Sequence, residues 1–188
     1  MPKVSVIIPT YNRVDTVVES LQSVLDQTMS DLEVIVVDDG STDNTRQVIE
    51  SINDKRVRYF YKQNSGPDGA RNVGLDQAEG DFFAFLDSDD YWPSDFLKKM
   101  IEVLSVNPDY GLAYASIVLV DERGHINKIR NPVHVCKSGC VTRDLFSTGF
   151  VSTVAVLIRR TVLSEIFFDE SLKTAEDSDF FLRLSLKT

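Results

Sequence analysis

Cysteine, histidine and tryptophan are scarce in this 188-residue chain, at two, two and one. Two cysteines, Cys136 and Cys140, cannot build a disulfide framework, so a reducing cytoplasm is the expected setting. His134 lies close to both thiols in sequence. A structural zinc needs a fourth ligand, however, and His125 is the only other histidine, so zinc ranks below plain thiols near a loop. Long apolar runs are missing too: none approaches the ~20 residues that span a bilayer. Val4–Ile8 is too short for a signal peptide and lacks a cleavage site. Positive charge is in the minority, 20 Lys and Arg against 29 Asp and Glu, for a formal charge of −9. That balance argues against nucleic acid or an anionic membrane surface as partner. It permits an anionic phosphate ligand if a divalent cation bridges the two. No repeat, low-complexity tract or flexible linker divides the chain, so one domain with a sizeable core is expected over residues 1–188.

Apolar runs and polar clusters alternate at a regular interval. Val4–Ile8, Leu32–Val37, Val57–Tyr61 and Phe82–Leu86 read as strands. Between them lie three helical patterns. The first runs from Asp15 to Gln27, with Val17, Val18, Leu21, Val24 and Leu25 as its stripe. The second is capped by Asp43 and carries Val48, Ile49 and Ile52; the third runs from Gly69 to Ala78. Strand and helix in this order predict an α/β fold: a mostly parallel central sheet with helices on both faces. Pro93 opens a further helix to Leu104. Leu112–Val120 reads as a strand followed by an Asp121–Gly124 turn, Val154–Ile158 as a strand, and Val162–Phe168 as a short helix. A last helix carries Phe180, Phe181, Leu184 and Leu186. Between His125 and Gly149 the pattern weakens towards irregular connections or a second small sheet.

The polar clusters fall at strand carboxyl ends, where open α/β sheets bind ligands. Asp87-Ser88-Asp89-Asp90 follows Leu86 directly. In an extended chain Asp87 and Asp89 would face the same way and could share one hard cation; an Asx turn explains the same residues equally well. Asp38-Asp39-Gly40-Ser41-Thr42-Asp43 is half explained by a glycine turn and a helix cap. Two consecutive acids after Val-Ile-Val-Val favour an acceptor for a nucleobase N–H. Gly69-Ala70-Arg71-Asn72 is an ordinary close-packed helix start, and Arg71 suits a salt bridge as well as a phosphate or base. It is not the dinucleotide fingerprint, which would have to follow the first strand. Glu176-Asp177 would ordinarily complement a helix dipole, and beside a sugar site could act as general base.

Taken in order, Pro9-Thr10-Tyr11-Asn12, the Asp38–Asp43 cluster, Gly69-Ala70-Arg71-Asn72-x-Gly74-Leu75, Asp87-Ser88-Asp89-Asp90 and Glu176-Asp177 resemble the motifs of family-2 inverting glycosyltransferases of the GT-A fold. The resemblance spans Val4 to about Leu186. It implies a nucleotide-binding half to about residue 90 and an acceptor-binding half from about 91 to 188, truncated at its C-terminus relative to many members. It also implies that Pro9, Thr10, Tyr11 and Asp39 hold the base of a nucleoside-diphosphate sugar, commonly a UDP-sugar. Arg71, Asp87 and Ser88 would line the donor site, and Asp89 with Asp87 would bind Mg²⁺ or Mn²⁺. Asp177 would be the general base, with Glu176 its neighbour. The Gln-x-x-Arg-Trp element of processive synthases is absent, since the sole tryptophan is Trp92. The implied activity is non-processive transfer to a hydroxyl of a glycan or lipid-linked glycan in cell-surface synthesis. The implied place is the cytoplasm, with room for peripheral association at the inner face of the membrane. Two competing readings are a nucleotide-sugar-binding domain without turnover and Mg²⁺-dependent phosphotransfer through an aspartyl nucleophile. The second needs a lysine near the phosphate, and none is evident at a strand end.

Overall fold

The computed structural model describes residues 3–121, 123–130, 136–148, 151–163 and 165–187. His134, the histidine of the zinc reading, lies outside them. The strands are β1 (Val4–Thr10), β2 (Leu32–Asp38), β3 (Val57–Tyr61), β4 (Phe82–Phe85), β5 (Leu112–Tyr114), β6 (Ile117–Val120), β7 (Ile126–Arg130) and β8 (Val156–Arg159). Six of them form one sheet in the order β3-β2-β1-β4-β8-β5. The first four are parallel, and β8 runs antiparallel to both β4 and β5. This is the mostly parallel α/β sheet that the sequence predicts, with one strand reversed.

Both faces of β1 and β2 are covered, which is why their apolar runs are nearly continuous. Val4, Val6 and Ile8 pack with Val34 and Val36 under α1 (Val17–Leu25), α2 (Thr45–Glu50) and α4 (Phe96–Val106). Ile7, Ile35, Phe83 and Phe85 face α3 (Pro67–Gln77), α5 (Thr142–Thr148), α6 (Arg160–Leu163) and α7 (Glu176–Ser185). Each such side chain fully removed from water contributes roughly 1.5–3 kcal/mol. Two buried polar groups sit among them: Ser5 donates to Glu33 Oε1 at 2.6 Å, and Arg58 reaches Glu33 Oε2 at 2.7 Å, so the burial is compensated.

Several boundaries depart from the sequence reading. Leu112–Val120 is two strands, because β5 pairs with β8 whereas β6 turns away into a separate hairpin with β7. Within α1, Val18 faces solvent. α4 begins three residues after Pro93, whose carbonyl accepts the Phe96 N–H. α3 begins two residues earlier than expected, with Pro67 in its first turn. Asp43 lies outside α2, although its Oδ1 still accepts the Thr45 N–H at 3.0 Å. Val162–Phe168 is helical only up to Leu163 in α6. Leu186 lies beyond the last turn of α7 and is exposed.

Candidate active site

The carboxyl ends of β1, β2 and β4 open into a cleft of about 530 Å³ lined by Pro9, Thr10, Tyr11, Arg13, Asp39, Asn64, Gly66, Pro67, Arg71, Asp87, Ser88 and Asp89. All eight residues assigned from the sequence to donor or metal binding are on that wall. The loops holding them are locked together. Asn12, in the left-handed region at φ 51°, accepts the Thr42 N–H at 2.8 Å, and its own N–H donates to Ser41 Oγ at 2.8 Å. The Pro-Thr-Tyr-Asn and Asp-Asp-Gly-Ser-Thr-Asp segments are thus two sides of one clamp.

Asp39 is 3 % exposed. Its Oδ1 accepts the Ser65 N–H at 3.0 Å and Lys62 Nζ at 2.7 Å, and its Oδ2 accepts the Gly66 N–H at 2.8 Å. Three of roughly four acceptor positions are filled by the protein, leaving about one for a ligand. Lys62 corrects the sequence reading: it follows β3 directly and is a lysine at a strand end. It neutralises Asp39, and that hydrogen-bonded carboxylate is a poor nucleophile. Asp38 accepts the Ser41 N–H at 2.8 Å and the Tyr59 hydroxyl at 2.7 Å. Burial first, then the Asp38 hydrogen bond and charge, push the Tyr59 phenol far above its ordinary range.

Asp90 N–H donates to the Asp87 carbonyl at 3.1 Å, so residues 87–90 form a turn. The premise of an extended chain, with Asp87 and Asp89 pointing the same way, fails there. Asp87 Oδ1 accepts Arg71 Nη2 at 2.9 Å, while Asp89 looks to Arg13 Nη2 at 3.6 Å. Asp90 is outwardly exposed, yet partial desolvation and then the charges of Asp87 and Asp89 push its carboxyl up to about 6. This concentration of negative charge suits a hard divalent cation. Asp89 meets only an exposed arginine, and Asp87 keeps one oxygen out of the Arg71 pair. Among the described residues no three His, Cys, Asp or Glu side chains form a complete cage. Mg²⁺ and Mn²⁺ commonly take one or two carboxylates and complete their shell with phosphate oxygens and water, so the donor set fits them.

Arg71 on α3 ties this wall to the far side of the sheet. It is 6 % exposed, donates to Asp68 Oδ1 at 3.0 Å and Asp87 at 2.9 Å, and lies 3.8 Å from Asp177 Oδ1. Its guanidinium also covers the Phe168 ring, 5.4 Å from the centroid. Burial opposes its charge, but Asp87, Asp177 and Asp68 outweigh that and hold its pKa above the ordinary value. Asp177, in the first turn of α7, does not line the cleft itself. Burial raises its pKa, opposed by the Thr153 hydroxyl and Arg71 and assisted by Asp87 and Glu176. Ala175, just before it, is held at φ 62°, a conformation that disfavours a Cβ. Phe168, stacked on Phe180 at 4.0 Å and edge-on to Phe85 at 5.5 Å, fixes this end of α7 against the sheet.

A profile described as "Glycosyl transferase family 2" matches residues 5–167. The chain belongs to that family. Among similar proteins, an uncharacterised glycosyltransferase of Rickettsia felis is 34% identical over 98% of this chain and 30% of its own length. The GalNAc(5)-diNAcBac-PP-undecaprenol beta-1,3-glucosyltransferase of Campylobacter jejuni is 39% identical over 90% of this chain and 56% of its own. The crystal structure of Staphylococcus aureus TarS 1-349 in complex with UDP-GlcNAc superposes with a TM-score of 0.81 at 32% identity, covering 98% of this chain and 54% of that one. The chain thus spans between 30% and 56% of the length of these relatives, and its α/β sheet is the GT-A sheet that the motifs imply.

Within this family member, sequence reasoning missed four residues at the site. Lys62 and Arg13 give no signal beyond their charge. Asn72 was within the quoted motif, and its amide clasps the backbone of Phe168 in both directions, at 3.0 and 2.8 Å. Thr153 sits beside Asp177 in a stretch with no motif character.

Proposed function

We propose that this chain is the donor-binding and catalytic part of a non-processive, inverting glycosyltransferase that takes a UDP-sugar and an acceptor hydroxyl. The observation that carries this reading is the convergence of the predicted donor residues on one cleft, with Arg71 bridging Asp87 in its wall to Asp177 behind it. UDP is favoured because the TarS neighbour, 32% identical, is described with UDP-GlcNAc. Residues to about 90 would hold the nucleotide and those beyond would meet the acceptor. Tyr11, 46% exposed in the cleft wall, offers a ring face to the base, and Asp39 its remaining acceptor position. Ser88 and Arg71 would border the sugar diphosphate. Asp87 and Asp89 would hold Mg²⁺ or Mn²⁺, which when bound neutralises charge on the leaving diphosphate.

Asp177 takes the proton from the acceptor hydroxyl as that oxygen attacks the anomeric carbon. The bond from the anomeric carbon to the diphosphate oxygen breaks in the same displacement, inverting the configuration and leaving no sugar on the protein. Arg71 keeps Asp177 ionised and aimed while holding Asp87 at the donor side. The acceptor class suggested by the Campylobacter relative's name is a lipid-linked glycan. Such a substrate would bring the enzyme to the inner face of the membrane from the cytoplasm; no helix among the described residues is long and apolar enough to cross a membrane.

Calorimetric titration of UDP, GDP and dTDP, each with Mn²⁺ and again with EDTA, tests the donor site. UDP should bind with Mn²⁺ and lose most of its affinity in EDTA. Binding of none of the three would overturn the donor-site reading, and undiminished UDP binding in EDTA would remove the cation from it.

A further inference from the structure

Thr153 is 1% exposed and sits in the 3₁₀ turn Thr153–Ala155 that leads into β8. Because β8 is antiparallel to β4, with Ala84 opposite Leu157, the entrance of β8 lies at the same sheet end as the exit of β4. That reversal brings Thr153 to the end of the sheet where the site lies. Thr153 Oγ1 is buried without a hydrogen-bond partner among the described residues, and so is Asp177 Oδ1. The two groups are neighbours. A buried hydroxyl and a buried carboxylate oxygen each lose free energy when unpaired, and a small shift of the Thr153 and Asp177 side chains pairs the two. With Oδ1 buried, the exposed part of the Asp177 side chain, 38% in all, leaves Oδ2 to face the acceptor side.

We infer that Thr153 is a positioning residue for Asp177: its hydroxyl engages Oδ1, fixes the plane of the carboxylate and presents Oδ2 to the acceptor hydroxyl. The inference deepens the reading of Asp177 as general base and rests on it for its catalytic consequence. The other charges facing Asp177 are Arg71 and Asp68 on α3, Asp87 after β4, and Glu176 on its own helix. Of these only Arg71 favours the ionised form. A neutral donor on Oδ1 supplies that support without adding a second charge to a site crowded with acids.

The test pairs Thr153→Val, which keeps the shape and removes the hydroxyl, with Thr153→Ser, which keeps the hydroxyl and removes the methyl group. Valine should lower kcat on the order of tenfold and move the acid limb of the pH profile up by about one unit, and serine should restore both. Calorimetric UDP affinity should be the same in all three proteins. A valine variant with wild-type kcat and acid limb overturns the inference, as does a serine variant as impaired as valine, which would make methyl packing the cause. A titration of carboxyl ¹³C shifts in aspartate-labelled protein, with Asp177→Asn to identify the resonance, reads the contact without turnover. The Asp177 midpoint should rise by about one unit in the valine variant; an unmoved midpoint overturns the contact. Transfer persisting in Asp177→Asn would instead overturn the base assignment, leaving the measured contact to stand or fall on the titration alone.

Discussion

A guanidinium that is only 6% exposed must be compensated, and Arg71 meets Asp68, Asp87 and Asp177 within 3.8 Å. Burial first, with the charges of Asp87 and Glu176 adding to it, outweighs Thr153 and Arg71 and leaves Asp177 harder to ionise than an ordinary aspartate. Two consequences follow for Asp177→Asn. Transfer should fall by about 10²–10⁴-fold, the usual contribution of a general base, with UDP binding retained. Near wild-type turnover would disprove the assignment. The second concerns stability. A group whose folded pKa is raised binds more protons in the native chain, so it costs stability once pH rises above the unfolded value, near 3.9 for aspartate. At pH 7 the asparagine variant should therefore melt no lower than wild type, and that difference should shrink as pH falls towards 4; scanning calorimetry at both pH values checks it. In the wild type, activity should be lost on acidification at a higher pH than an unshifted aspartate would give.

At the level of elements, α3 does most to assemble the site, and it can do so because it lies almost against β1. A Cβ on Gly74 would come within 2.4 Å of Ile7 Cγ2, and one on Gly69 within 2.2 Å of Ser65 Oγ. Gly74→Ala should therefore push α3 outwards and destabilise the fold by about 1–3 kcal/mol, read as a lower urea midpoint at unchanged slope. An unchanged midpoint would mean that Ile7 can repack. Much of this layout was legible in the sequence. Val4–Ile8, Leu32–Val37 and Phe82–Leu86 are apolar without interruption because helices cover both faces, and polar residues resume where each strand ends at the site. The direction of β8 was not legible, since Val154–Ile158 reads the same both ways and only its neighbours decide. Nor was the break between β5 and β6, where apolar residues continue while hydrogen-bond partners change. The gathering of Asp39, Asp87 and Asp89 on one cleft followed from their position after strands. Their partners Lys62 and Arg13, and Thr153 behind them, depend on loop geometry that no local pattern encodes.

At the scale of the whole molecule, the chain carries −9 and gathers several of its acids at one edge of the sheet. An anionic nucleotide is repelled by that edge unless a cation joins it. Mn²⁺ and UDP together should therefore raise the melting temperature more than the sum of their separate effects. For a ligand at 100 times its Kd the stabilisation is about 2.7 kcal/mol. A shift from UDP alone as large as with Mn²⁺ would contradict the argument. The reversed strand bears on how the molecule is made. Four parallel strands are complete once Phe85 has been synthesised, yet β5 emerges next with no sheet neighbour yet made, because among the described residues it pairs only with β8. Until Arg159 has left the ribosome, the outer edge of β4 stays bare, with its backbone groups open to any extended chain that drifts by. β8 must slot between two strands made earlier, and Asp177, the proposed general base, arrives later still. The nascent protein thus passes through a stage in which the cleft wall at the ends of β1, β2 and β4 can form while its sheet remains unsealed and Asp177 is not yet made.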